Sequence, residues 1–245
     1  MSMIPEVRRH SNVESLSLAA AALVVELAEV SLRTRGRFTL VLSGGTSPRM
    51  LYELLAQPPF AERMPWSRIY LFWGDERCVP PDHPHSNFGL ARQALLSKVP
   101  VPAVNVYPMP GAMAPPEAAA AQYEESLRAF FQAKEARQFP VFDLLLLGLG
   151  KDGHTASLFP GDAALDEELR WTRAVRVTSA SPPVPRITLT FPVINRARTV
   201  LFLVSGAGKK KVLDEILSAA GKAWLRYPAA RVRPSERLLW LTDEG

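Results

Sequence analysis

Asp143-Leu144-Leu145-Leu146-Leu147-Gly148-Leu149-Gly150-Lys151-Asp152-Gly153-His154-Thr155-Ala156-Ser157 begins as an unbroken apolar run and ends in a turn dense with functional groups. Four consecutive leucines without polar alternation read as a strand buried on both faces, the kind found in parallel sheets. Gly148, Gly150 and Gly153 then let the backbone turn sharply and approach a ligand closely. His154 follows at once. In open α/β sheets small molecules bind at the carboxyl ends of the strands, so this imidazole sits where a ligand is expected. Histidine is also the side-chain type best suited to act as a general base at neutral pH. The plainer reading of the same residues is a tight turn with an exposed histidine.

Strand-like and helix-like segments alternate on either side of this block. Residues 13–33 read as an amphipathic helix. The apolar run 38–42 breaks at Ser43-Gly44-Gly45-Thr46-Ser47-Pro48, and 49–56 looks helical. Residues 68–73 form a second strand, ending at Gly74-Asp75-Glu76-Arg77. After a proline-bearing loop come helices over 88–96 and 117–133, the latter preceded by Pro115-Pro116. Beyond the leucine strand, strands are expected over 174–178, 186–191, 199–204 and 238–241, with a helix over 209–218 after Gly206-Ala207-Gly208. This order predicts an α/β fold: a single domain over residues 1–245, with a mostly parallel Rossmann-like sheet and helices on both faces. Four strands end in chemically loaded turns, after Leu42, Trp73, Leu149 and Val204. In a parallel sheet these turns share one edge and form one composite pocket.

Composition narrows the class. The chain has 245 residues, of which 47% are hydrophobic, enough for a sizeable core. Its single cysteine, Cys78, excludes an internal disulfide framework and fits a reducing compartment. Arg8, Arg9 and His10 are not followed by a secretory pattern, and the apolar run 18–25 is too short to span a bilayer. A cytoplasmic protein without a membrane partner is expected. The net charge is +5, yet the only tight basic cluster is Lys209-Lys210-Lys211, with no interleaved aromatics. That pattern argues against nucleic acid and fits a small anionic substrate, or simply a solvated basic surface. The 22 prolines are spread along the chain, and neither repeats nor low-complexity tracts occur.

Each turn has a functional and a structural reading. Ser43-Gly44-Gly45-Thr46 offers backbone N–H groups and hydroxyls at a helix start, a phosphate cradle or an ordinary capped turn. Gly206-Ala207-Gly208-Lys209 is not a Walker A loop, because Leu203 and Lys210 stand where glycine and a magnesium-binding hydroxyl are required. A lysine opposing the helix dipole there still favours an anion. Gly148–Gly153 matches G-x-G-x-x-G, but Phe159-Pro160-Gly161 breaks the chain where a dinucleotide fold needs a helix. His83 and His85 flank Pro84 with no cysteine nearby, so a metal site is not expected. Arg186 either reaches a phosphate bidentately or solvates a strand edge. Ser157 lacks a G-x-S-x-G elbow, which argues against a serine hydrolase.

Ser43-Gly44-Gly45-Thr46, Trp73-Gly74-Asp75-Glu76-Arg77, Ser86-Asn87, the block from Gly148 to Gly161 and Arg186-Ile187-Thr188 together resemble the 6-phosphogluconolactonase family. The resemblance covers nearly the whole chain, and the block around His154 is its most specific part. It implies hydrolysis of 6-phospho-D-glucono-1,5-lactone in the pentose phosphate pathway with no cofactor, carried out by a monomer or weak homo-oligomer. It places His154 as the base, with Asp152 and Asp75 orienting the imidazole or holding sugar hydroxyls. Arg77 is then a candidate oxyanion or carboxylate contact. Ser43, Gly44, Gly45, Thr46, Asn87, Arg186 and Lys209 are expected to bind substrate and its phosphate. The related glucosamine-6-phosphate deaminases share the Asp-Gly-His core but carry a glutamate after the histidine. Here that stretch reads Leu158-Phe159-Pro160-Gly161 and has none. A deaminase/isomerase and a non-catalytic sugar-phosphate sensor are the alternatives.

Overall fold

A computed structural model describes residues 4–135, 137–176, 182–218 and 223–243. Its strands, in chain order, are β1 (Glu6–His10), β2 (Phe38–Leu42), β3 (Ile69–Trp73), β4 (Asp75–Arg77), β5 (Val106–Tyr107), β6 (Leu144–Leu147), β7 (Thr172–Val175), β8 (Arg186–Leu189), β9 (Thr199–Val204) and β10 (Arg237–Asp243). The helices are α1 (Val13–Arg35), α2 (Thr46–Leu55), α3 (Phe60–Arg63), α4 (Asn87–Ala91), α5 (Pro116–Phe131), α6 (Phe191–Ile194), α7 (Lys210–Leu217) and α8 (Ala223–Arg226).

Seven strands form one sheet in the order β1-β10-β9-β6-β2-β3-β5, and every pair is parallel. The fold is therefore α/β and Rossmann-like, with helices flanking the sheet. The β2, β6 and β9 side chains are all buried, which is why those segments read as continuous apolar runs. Order reverses at the β2–β6 pair: the chain leaves β2 toward β3 and β5, then returns to lay β6 on the other side. That reversal opens a crevice at the carboxyl ends of β2 and β6. α1 starts from Asn12, whose side chain accepts from Ser15 N, and ends at Gly36 in the left-handed region. It is long and apolar enough to cross a membrane by composition, but Leu16, Ala20, Val24 and Ala28 are fully buried in the core.

A second, three-stranded sheet, β4-β8-β7, is antiparallel, and the pattern of the sequence did not anticipate it. Gly74 joins the two sheets: its N–H donates to Leu42 O at 2.9 Å, and its carbonyl accepts from Leu189 N at 2.8 Å. β1, β4 and β5 are too short or too polar to show a periodicity. The expected strand over 174–178 is β7, shifted to Thr172–Val175; residues 177 and 178 lie outside the described residues. The expected helix over 88–96 is α4 continued by a π-helical turn, Arg92–Leu96.

Candidate active site

The turns after β2, β3, β6 and β9 meet around one cavity of about 190 Å³. Ser43, Gly44, Gly45, Thr46, Asp75, Arg77, Asn87, His154, Arg186 and Lys209 all line it. Asp152 does not; it stands behind His154. The structure thus brings together every residue that the resemblance assigns to catalysis or substrate binding, with Asp152 one step removed from the cavity.

His154 is fixed from two sides. Its Nδ1 lies 2.6 Å from Asp152 Oδ1, and the same oxygen accepts from His154 N at 3.1 Å. Its ring packs on Phe159 with centroids 4.4 Å apart. Partial burial pushes the Asp152 carboxyl up, but the hydrogen bond and charge of His154 outweigh this and hold it below the ordinary aspartate value. An ionised carboxylate only accepts, so Nδ1 carries the proton and a neutral ring keeps its lone pair on Nε2. Gly150 permits this packing, because a Cβ there would overlap both the imidazole and the Asp152 carboxylate. The turn is closed by Gly150 N to His154 O at 2.9 Å and Gly153 N to Gly150 O at 3.0 Å.

Asp75 occupies a different part of the site. It accepts from Ser157 Oγ at 2.6 Å and Asn87 Nδ2 at 3.2 Å. Ser157, fully buried, is thus a hydrogen-bond donor to Asp75. Of the two carboxylates offered for orienting the imidazole, Asp152 makes the bond. Asn87 in turn accepts from Arg77 Nη1 at 2.5 Å, and its amide fills the space that a side chain on Gly44 would take. Arg77 and Asp75 alternate with Glu76 along β4, so the former two share the cavity side.

Glu76 is the organiser that sequence reasoning left without a role. Its buried carboxylate accepts from the backbone N–H of Arg77, Asn87 and Phe88, each at 2.7 Å, and from Ser86 Oγ at 3.0 Å. Burial pushes its carboxyl up; those backbone hydrogen bonds oppose the shift, and the nearby Asp75 charge adds to it. The signal in the sequence was a glutamate flanked by Asp75 and Arg77 at period two, facing away from them.

The cavity has an excess of positive charge. Arg77 and Arg186 are directly opposed across the β4–β8 pair, an arrangement that costs energy unless an anion offsets it. Arg186 is buried at 4% exposure and its guanidinium lies 5.5 Å from the Phe159 ring centroid. It is therefore not strand-edge solvation. Burial pushes its pKa down, the Asp75 charge pushes it up and the Arg77 charge pushes it down again. Ser43 Oγ and Arg77 Nε are buried without a hydrogen-bond partner among the described residues. Tyr52 Oη holds the Ser43 backbone from both directions, at 2.9 Å from its N and 2.7 Å from its O. His83 and His85 lie in an exposed loop with ring centroids 5.3 Å apart, and no cluster of three His, Cys, Asp or Glu forms among the described residues.

The chain is thus an open parallel α/β protein with a cation-rich cavity at the switch point of its sheet, where proteins of this architecture bind small molecules. The chain belongs to the family described as glucosamine-6-phosphate isomerases/6-phosphogluconolactonase, whose model matches residues 11–240. It is 45% identical over 242 residues to a 6-phosphogluconolactonase of Synechocystis, covering 99% of this chain and 97% of that protein. A 6-phosphogluconolactonase of Nostoc is 42% identical over 90% of this chain and 88% of its own length. The solved structure of 6-phosphogluconolactonase from Trypanosoma cruzi superposes with a TM-score of 0.85 at 32% identity, covering all of this chain and 96% of that one.

Proposed function

We propose that this protein hydrolyses 6-phospho-D-glucono-1,5-lactone to 6-phospho-D-gluconate in the cytoplasm, as a step of the pentose phosphate pathway. The observation that carries the reading is His154, held through Nδ1 by Asp152 and lining the same cavity as Arg77 and Arg186. Family membership and the named relatives support it.

In this reading water attacks C1 while His154 Nε2 takes a proton from it. The carbonyl electrons move onto oxygen, and the Arg77 guanidinium stabilises the developing charge. The tetrahedral centre collapses, the C1–O5 bond breaks, and the imidazolium returns its proton to O5. The new carboxylic acid ionises to solvent. Asp152 stabilises the transient imidazolium. Asp75 and Asn87 hold sugar hydroxyls, and the backbone of Ser43–Thr46, with Arg186 and Lys209, holds the phosphate.

The test is a rapid lactone-opening assay on the purified protein, corrected for the spontaneous reaction. Turnover well above background is expected. Absence of turnover, or release of ammonia from glucosamine 6-phosphate, would overturn the reading.

A further inference from the structure

The last strand carries a carboxylate that none of the roles above uses. β10 runs parallel to β9 with Thr242 opposite Val204, so Asp243 comes to rest beside the turn that follows β9. Its carboxylate accepts from Ser205 Oγ and, at 3.0 Å, from Gly206 N. The Gly206 carbonyl then accepts from Lys209 N at 3.1 Å, closing the 3-10 turn Ala207–Lys209. A continuous set of hydrogen bonds thus links the end of β10 to Lys209, which lines the cavity.

Electrostatics act in the same direction. Burial pushes the Lys209 ammonium below the ordinary lysine value; the Asp243 charge opposes that shift and the Lys151 charge reinforces it. Lys151 lies close by, its Cε 3.2 Å from where a Cβ on Gly208 would stand. At Lys209 the nearby Lys151 charge disfavours the ammonium, and the Asp243 charge opposes that effect.

We propose that Asp243 is a positioning residue for phosphate recognition, clamping the Ser205–Gly206 turn so that Lys209 is aimed into the cavity. The proposal rests on reading Lys209 as a phosphate contact. A carboxylate that merely capped the loop would affect folding, or all substrates alike. A clamp acting through Lys209 affects only ligands that carry the phosphate.

The experiment compares wild type, Asp243→Ala, Asp243→Asn, Lys209→Ala and the Asp243→Ala/Lys209→Ala double variant. Two readouts are needed: KM and kcat for the phosphorylated and unphosphorylated lactones, and calorimetric Kd for 6-phosphogluconate and gluconate. Asp243→Ala should raise KM and Kd for the phosphorylated ligands about five- to tenfold, with kcat and the unphosphorylated ligands close to wild type. Asp243→Asn, which keeps one acceptor but loses the charge, should fall between. In the Lys209→Ala background Asp243→Ala should add nothing further. Equal losses with both ligand types, additivity with Lys209→Ala, or no change in KM and Kd would each overturn the clamp. A wild type that prefers 6-phosphogluconate to gluconate but opens no lactone would sink the enzymatic reading alone, with Asp243 still judged on Kd. A wild type with no such preference, or a Lys209→Ala variant that keeps it, would overturn the Asp243 proposal.

Discussion

Two buried aspartates mark opposite ends of the sheet, and their surroundings differ in kind. Asp143 stands at the amino end of β6. It accepts from Arg35 Nε, Thr39 N and Thr39 Oγ1, each at 2.8 Å, and Arg198 Nε is 3.6 Å away. Asp75 stands beyond the carboxyl end of β3 and takes its hydrogen bonds from the neutral donors Ser157 and Asn87. Around Asp143 the charge is matched by guanidinium groups, tying α1, β2 and β6 together. Around Asp75 both arginines line the cavity; Ser43 Oγ and Arg77 Nε there, like Arg198 Nε at the other end, are buried without a hydrogen-bond partner among the described residues. One end sets guanidinium groups on its carboxylate; the other sets neutral donors on its carboxylate and lines a cavity with its arginines.

The sharpest way to break this comparison is at the ligand end. His154→Asn should fold normally and lose about 10²- to 10⁴-fold in kcat, the usual worth of a positioned base. A folded His154→Asn protein with near-wild-type turnover would remove the imidazole from the chemistry. Arg186→Ala should raise KM for the phosphorylated lactone about tenfold or more, and change the unphosphorylated reaction far less. The ratio of kcat/KM for the two lactones, measured at one ionic strength, decides the matter; an unchanged ratio means that Arg186 does not read the phosphate.

The structural end should respond in the opposite way. Asp143→Ala leaves Thr39 N buried without its acceptor and Arg35 without its partner. Both arginines are about a third exposed, so solvent softens the loss, and a cost of about 2–4 kcal/mol is expected. Denaturant titration should show it, with kcat per folded molecule unchanged. A fall in kcat at full folding would mean that the two ends are coupled.

The smallest expected effect concerns acid. Asp152 has its folded pKa held below its ordinary value of 3.8. Its contribution is therefore complete above pH 3.8 and is lost as pH falls through the lower, folded value. Half of its side chain is exposed, so the contribution is modest. Asp152→Asn should flatten the acid side of the stability–pH curve slightly, while lowering kcat through the imidazole at neutral pH. An unaltered kcat would separate Asp152 from the function of His154.

How much of this was legible in the chain follows from the range of the interactions. The leucine strand, the glycine turns and the alternation of elements are local patterns, because burial on both faces of a parallel strand imposes an apolar run wherever it occurs. They were enough to expect an α/β sheet with one loaded edge, and to place Ser43–Thr46, His154 and Lys209 on it. The small antiparallel sheet was not legible: β4 is three polar residues, and only pairing with β8 makes it a strand. That pairing sets Arg77 against Arg186, buries Arg186 and turns Glu76 away from Asp75. Tertiary structure also divided the carboxylates, giving Asp152 to the imidazole and Asp75 to Ser157 and Asn87. Sequence by itself determined that the turns after β2, β3, β6 and β9 share the edge, because strand direction in a parallel sheet sends every following turn the same way. Which of them touch was decided by contacts between segments as distant as Ser157 and Asp75, or Asp243 and Gly206, and no local pattern encodes those distances.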